Sequence, residues 1–277
     1  MIDVRLPSPL VELHDDRFDG VRLYLKRDDL IHPEVPGNKW RKLKYNLLAA
    51  REQGYRRLLT FGGAYSNHLR AVAAAGHHLG FATVGVVRGE AHEPLNESLA
   101  YAVGRGMTLT YLDRSTYRRK AEPTVLSALF DEFGPCYVVP EGGANAHGVR
   151  GCAELPGEID VDYDVICCAV GTGGTLAGIA ACSSQAIGFA VLKGQFLDDE
   201  VRRLQREAFG SVTDNWSIDH EFHFGGYAKR TAALDAFVAD FETRHSIALD
   251  RVYEAKMMYG LAHRVFPAGT VVVAVLS

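Results

Sequence analysis

The chain has 277 residues, 47% of them hydrophobic and 23% charged, with a formal net charge of -4 at pH 7. That composition supports a sizeable core and excludes a disordered or fibrous chain. The acidic balance argues against a nucleic-acid partner, since such binders need excess Lys and Arg to displace counterions from phosphates, so small-molecule chemistry is expected.

From the N-terminus, MIDVRLPSPL lacks the charged-then-apolar pattern of a signal peptide. A strand is predicted at residues 21–25 and a helix at 40–53, stopped by Gly54. A strand at 57–61 leads into a helix at 67–79, capped by Ser66 and stopped by Gly80. Strands at 83–87, 108–111 and 137–139 follow. The strand at 165–170 precedes a helix at 175–182, and one at 187–192 precedes helices at 198–208, 229–244 and 255–265. A last strand is predicted at 270–276.

Apolar runs alternating with amphipathic helix-length stretches are the pattern of parallel sheets flanked by helices, and eight strands predict two α/β units. Residues 1–48 with 150–277 are expected to form a larger, cofactor-binding domain, and 49–149 a smaller α/β domain. The longest apolar runs fall far short of the roughly 20 residues that span a bilayer, so no membrane association is expected. Cys136, Cys152, Cys167, Cys168 and Cys182 form an odd set without C-x-x-C spacing, and a reducing cytoplasm is the expected location. No metal site is expected: His77-His78, and His220 with His223, lack partners at ligand spacing.

Ligands of open α/β sheets collect where strands end and loops enter helices, and three such joints carry chemistry. Gly171-Thr172-Gly173-Gly174-Thr175 follows a strand and opens a helix, so free N–H groups, the helix N-terminus and threonine hydroxyls converge on an anion, most naturally a phosphate. It matches neither the Walker loop nor the dinucleotide fingerprint. Gly37-Asn38-Lys39-Trp40-Arg41-Lys42 puts a lysine at a loop–helix junction among other cations, which lower its pKa toward Schiff-base chemistry. In Gly62-Gly63-Ala64-Tyr65-Ser66-Asn67-His68, the Ser66 hydroxyl suits a substrate carboxylate and Asn67 can donate to an oxyanion. Each joint also has an ordinary reading: a ligand-free tight turn, a solvated basic face, a plain N-cap serine.

Five segments together, KRDDL (26–30), GNKWRKLKYNL (37–47), FGGAYSNHLRAVAAAGHHLG (61–80), EGGANAHGVRG (141–151) and VYEAKMMYG (252–260), resemble the 1-aminocyclopropane-1-carboxylate deaminases and D-cysteine desulfhydrases. That family lies within the tryptophan-synthase-β-like pyridoxal phosphate enzymes. The resemblance implies an α/β fold of two open twisted, mostly parallel sheets flanked by helices. It implies that pyridoxal phosphate is attached through Lys39 beside Asn38, that Asn67 touches the pyridoxal 3-oxygen, and that Gly171, Thr172, Gly173, Gly174 and Thr175 hold the phosphate. Ser66, Tyr227 and Tyr253 match the family's active-site serine and tyrosines, and Glu254 matches a carboxylate beside the pyridine nitrogen. Such a carboxylate keeps the nitrogen protonated and the ring a deeper electron sink.

Glu254 favours deamination of 1-aminocyclopropane-1-carboxylate to 2-oxobutanoate and ammonia, because the desulfhydrases tend to carry a small hydroxyl residue there. His68 points to D-cysteine and its breakdown to pyruvate, sulfide and ammonia, because typical deaminases have glutamine there. A small amino acid is the expected substrate either way, and a symmetric homodimer the default assembly. Two departures motivate an alternative of another class, a catalytically silent homologue that binds pyridoxal phosphate or another phosphate. The chain stops at Ser277 where the family continues into a glycine-rich turn, and residues 181–188 look abbreviated.

Overall fold

The apolar runs of the sequence become strands covered on both faces. The computed structural model describes residues 2–277. Its strands are β1 (Leu10–Leu13), β2 (Arg22–Arg27), β3 (Arg57–Gly62), β4 (Ala82–Arg88), β5 (Met107–Leu112), β6 (Tyr137–Val139), β7 (Val165–Val170), β8 (Ala186–Ala190), β9 (Trp216–Asp219) and β10 (Val271–Leu276). Its helices are α1 (Gly37–Glu52), α2 (Asn67–Leu79), α3 (Glu97–Gly104), α4 (Arg114–Arg118), α5 (Pro123–Phe133), α6 (Ala146–Cys152), α7 (Gly174–Ala181), α8 (Phe196–Phe209), α9 (Ala232–His245) and α10 (Glu254–His263).

The strands form a six-stranded sheet in the order β1-β2-β10-β7-β8-β9 and a four-stranded sheet in the order β5-β4-β3-β6. β1 runs antiparallel to β2 at one edge, and the other pairs are parallel. The fold is therefore the expected α/β arrangement of two mostly parallel sheets flanked by helices.

Strand side chains alternate between faces, and so do the cores. Leu23, Leu25, Val165, Cys167, Val272 and Ala274 pack with side chains of α9 and α10, whereas Ile166, Cys168, Val170, Val273 and Val275 pack with α7 and α8. In the smaller sheet, Leu58 and Val87 share a core with α1, α2 and α3, and Leu59, Phe61, Val84 and Val86 meet Tyr117, Val125 and Leu129 on the other face. Strands buried on both faces read as continuous apolar runs, which is why β7 and β10 stand out in the sequence.

Helix α2 starts and stops where the sequence places it: Ser66 Oγ accepts from Leu69 N–H, and Gly80 adopts a left-handed C-cap. Helix α1 begins at Gly37, three residues before the predicted start, because extended Pro36 ends the loop there. Lys39 consequently lies in the first helical turn. Helix α9 begins only at Ala232, after a Thr231 N-cap, instead of at 229. Among the described residues no helix is long and apolar enough to cross a membrane.

Candidate active site

The joints that the sequence singles out converge. Ser277 directly follows β10, Gly171 directly follows β7, and Gly63 directly follows β3. These are carboxyl ends of parallel strands, with α1, α2, α7 and α10 opening from nearby loops.

Polar contacts link the first turn of α1 to the start of α10. Lys39 Nζ donates to Asn38 Oδ1 at 2.5 Å, and Asn38 Nδ2 donates to Ser277 Oγ at 3.1 Å. The Ser277 N–H donates to Glu254 Oε1 at 2.6 Å, and the Asp250 N–H donates to Glu254 Oε2 at 2.8 Å. The Asp250 carboxylate accepts from Val252 and Tyr253 N–H, each at 2.9 Å, and from Asn67 Nδ2 at 3.2 Å. Lys39, Asn38, Glu254 and Asn67 are thereby brought together, through two residues that sequence reasoning did not select, Ser277 and Asp250. Backbone N–H donors of this kind leave no residue-type signal in a sequence.

Burial and like charges tune this chain. The Lys39 amine is brought down to about 8 by burial and by the neighbouring Lys42 cation. The Glu254 carboxyl, 3% exposed, is pushed up to about 7 by burial and by the Asp250 carboxylate. Both groups can gain or lose a proton near neutral pH, which is the requirement for a nucleophilic lysine and an exchanging acid.

A second cluster has the geometry of a cradle that could take an anion. Gly173, with φ of 78°, takes the left-handed conformation that lets the loop turn into α7. A side chain added at Gly174 would come within 3.7 Å of Lys42 Nζ, so the buried Lys42 ammonium stands at the opening of that helix. Burial pulls the Lys42 amine down, and no carboxylate is among the groups opposing the shift. An anion at the N–H groups of Gly173, Gly174 and Thr175 would supply the missing counter-charge. Sequence reasoning treated Lys42 only as a field acting on Lys39; its i+3 spacing on α1 was the signal for a direct role.

Tyr253 lies with its ring centroid 5.8 Å from Lys39 Nζ, and Tyr227 packs edge-on to it with centroids 6.2 Å apart. Burial raises both phenols, so both are protonated at neutral pH. The Ser66 Oγ accepts from Leu69 N–H at 3.3 Å, which leaves its proton free to donate. His68 faces inward. Thr60 Oγ1 donates its single proton to Val139 O at 2.8 Å, so His68 Nε2 must be the donor in their 2.9 Å contact. Its Nδ1 is buried without a partner, and burial with the Lys42 and Lys39 charges holds the ring neutral, at about 3. Cys136, Cys152, Cys167 and Cys168 are buried with their thiols pushed up by burial, the opposite of an activated thiolate, and Cys182 is exposed. Among the described residues no group of three or more His, Cys, Asp or Glu is placed to hold a metal ion.

Residues 3–191 match the family described as pyridoxal-phosphate dependent enzyme. The chain belongs to this family. A Pyrococcus horikoshii protein named provisionally as a 1-aminocyclopropane-1-carboxylate deaminase is 32% identical over 256 residues, covering 87% of this chain and 79% of that one. An Arabidopsis thaliana protein named as a mitochondrial bifunctional D-cysteine desulfhydrase and 1-aminocyclopropane-1-carboxylate deaminase is 29% identical over 89% of this chain and 68% of its own length. A solved structure titled as an ACC deaminase homologue superposes with a TM-score of 0.86 at 29% identity, covering 99% of this chain and 90% of that one.

Pyridoxal phosphate is the cofactor of this family, and the residues present fit it. A glycine loop opening a helix beside the buried Lys42 ammonium, whose lowered pKa no carboxylate opposes, suits its phosphate, and a lysine near neutrality suits its aldehyde. A buried carboxyl near neutrality suits the basic ring nitrogen.

Proposed function

We propose that this pyridoxal phosphate enzyme releases ammonia from a small amino acid, with 1-aminocyclopropane-1-carboxylate as substrate and 2-oxobutanoate as the second product. The observation that carries the choice is Glu254, a buried carboxyl held by two backbone N–H donors and pushed to about 7. Bound pyridoxal phosphate supplies an electron sink for negative charge at the carbon that bears the amine. Lys39 would attach it, Glu254 would serve its ring nitrogen, and Asn67 its ring oxygen. Lys42 and the loop Gly171, Thr172, Gly173, Gly174 and Thr175 would hold its phosphate.

The remaining steps fall to the chain's own groups. Asn38 orients the Lys39 amine, which donates to its amide oxygen. Ser66 donates its free hydroxyl proton to the substrate carboxylate. Tyr253, whose ring lies 5.8 Å from Lys39 Nζ, and Tyr227 packed against it would offer protonated phenols to a substrate held beside that amine. The cyclopropane substrate has no α-proton, so Lys39, Ser66 or Tyr253 must act on the ring carbons themselves.

Its second reading, β-elimination from D-cysteine to pyruvate, sulfide and ammonia, draws on His68 beside Asn67. The inward orientation of that histidine toward Thr60 weakens it as a substrate contact. Reducing cytoplasm suits the five free cysteines, and a symmetric dimer is the assembly proposed. The division into a larger domain of 1–48 with 150–277 and a smaller one of 49–149 belongs to the same proposal. It leaves α1 shared, since Leu43, Leu47 and Ala50 enter the core of the four-stranded sheet.

The test is keto-acid release from 1-aminocyclopropane-1-carboxylate and from D-cysteine in parallel, by protein loaded with pyridoxal phosphate. Release of 2-oxobutanoate from the first is expected. Pyruvate from D-cysteine alone would select the second reading, and release from neither would overturn both.

A further inference from the structure

Lys256 is fully buried in α10, two residues beyond Glu254, and no carboxylate forms an ion pair with it among the described residues. Its Nζ donates to three backbone carbonyls: Gly226 at 2.7 Å, His223 at 2.9 Å and Val191 at 3.4 Å. An ammonium has three donors, and all three are spent on the main chain. Burial alone moves its pKa, down to about 8.

Two of those carbonyls belong to a loop in an unfavourable conformation. Phe224 and Ala228 have φ of 54° and 55°, flanking Gly225 and Gly226 at 93° and 121°. Left-handed backbone at non-glycine residues persists only where surrounding contacts over-determine it. The loop carries Tyr227, which packs against Tyr253 beside Lys39. The third carbonyl, Val191, directly follows β8, the strand paired with β7 and hence with the anion-cradle loop.

We propose that Lys256 is a positioning residue: its ammonium fills a backbone-carbonyl cradle suited to a monovalent cation, and thereby fixes the 224–228 loop and the Tyr227 phenol against the bound amino acid. Rings of carbonyl oxygens hold potassium by replacing its water shell, and an ammonium group meets the same oxygens with three hydrogens. The inference rests on the reading that Tyr227 faces the substrate. It adds that the loop is set by a cation tethered to the same helix as Glu254, so the carboxyl and the phenol are placed by one element.

The test compares wild type, Lys256→Ala, Lys256→Met and Tyr227→Phe by amide hydrogen exchange over residues 222–228, with and without pyridoxal phosphate, and by KM and kcat. Loss of hydrogen bonds from a charged donor is expected to speed exchange in that loop about tenfold or more in Lys256→Ala and Lys256→Met, and to raise KM more than it lowers kcat. Ammonium or potassium chloride should restore the loop and KM in Lys256→Ala, whereas tetramethylammonium chloride at the same ionic strength should not. Lys256→Met, whose side chain fills the cradle, should gain nothing from either salt.

Exchange as slow as wild type in both Lys256 variants overturns the clamp, even where Tyr227→Phe raises KM. Equal restoration by tetramethylammonium also overturns it, since that reports ionic strength alone. A loosened, cation-restored loop beside an unchanged KM in Tyr227→Phe overturns the reading of the tyrosine and, with it, the positioning role.

Discussion

Glu254 and Lys39 are moved in opposite directions, to about 7 and about 8, by the same two causes: burial with a neighbouring carboxylate raises the acid, and burial with a neighbouring cation lowers the base. The raised carboxyl makes stability depend on pH. Between its ordinary value of 4.5 and about 7, the folded chain binds a proton that the unfolded chain has released. Stability from this group is therefore complete below 4.5 and is lost as pH rises through about 7. In cofactor-free protein, Glu254→Gln should flatten that part of the profile of unfolding free energy against pH, and a profile matching wild type would show that Glu254 is not perturbed. The motif VYEAK made Glu254 legible in the sequence. Asp250 and Ser277, which hold it through main-chain N–H groups, were not legible, because any residue could supply those donors.

At the scale of elements, α1 presents Lys39 and Lys42 to the site, and Arg41 between them anchors the helix. Arg41 is 1% exposed; its Nε and Nη2 donate to Asp28 at 2.5 and 2.8 Å, and its Nη1 and Nη2 to Glu158, both at 2.8 Å. Lys26 and Ser8 complete the network, with Ser8 Oγ donating to Asp28 Oδ1 at 2.6 Å and Lys26 Nζ to the Ser8 carbonyl at 2.6 Å. Breaking a buried pair from one side strands the other charge, at about 3–5 kcal/mol. Arg41→Met should lose stability in that range in urea unfolding, and adding Asp28→Asn should recover part of it by removing the stranded carboxylate. Simple addition of the two losses would show that the pair is not coupled.

The elements that sequence reasoning missed have different causes. Edge strands β1 and β9 read LVEL and WSID, four residues each interrupted by polar or acidic side chains, whereas the shorter but wholly β-forming YVV of β6 was legible. Helix α6 reads AHGVRGC, poor in helix formers, and is held by tertiary contact: a side chain at Gly151 would overlap the Arg41 carbonyl of α1. Pro123 at the start of α5 and the Asn96 cap of α3 were readable signals that the coarse pattern passed over.

Across the whole molecule, the parallel strands of each sheet end on one side, and the loops after β3, β7 and β10 come together at those ends. The apolar strands and the glycine-rich joints made that architecture legible. The path from Lys39 through Asn38, Ser277, Glu254 and Asp250 to Asn67 was not, since it joins residues up to 239 positions apart in sequence. The most direct measurement is borohydride reduction of the protein loaded with pyridoxal phosphate, followed by mass mapping of its peptides. The expected result is a cofactor adduct on Lys39 in wild type and none in Lys39→Ala. An adduct on Lys42 instead, or one that survives in Lys39→Ala, would contradict the assignment of Lys39 as the attachment point.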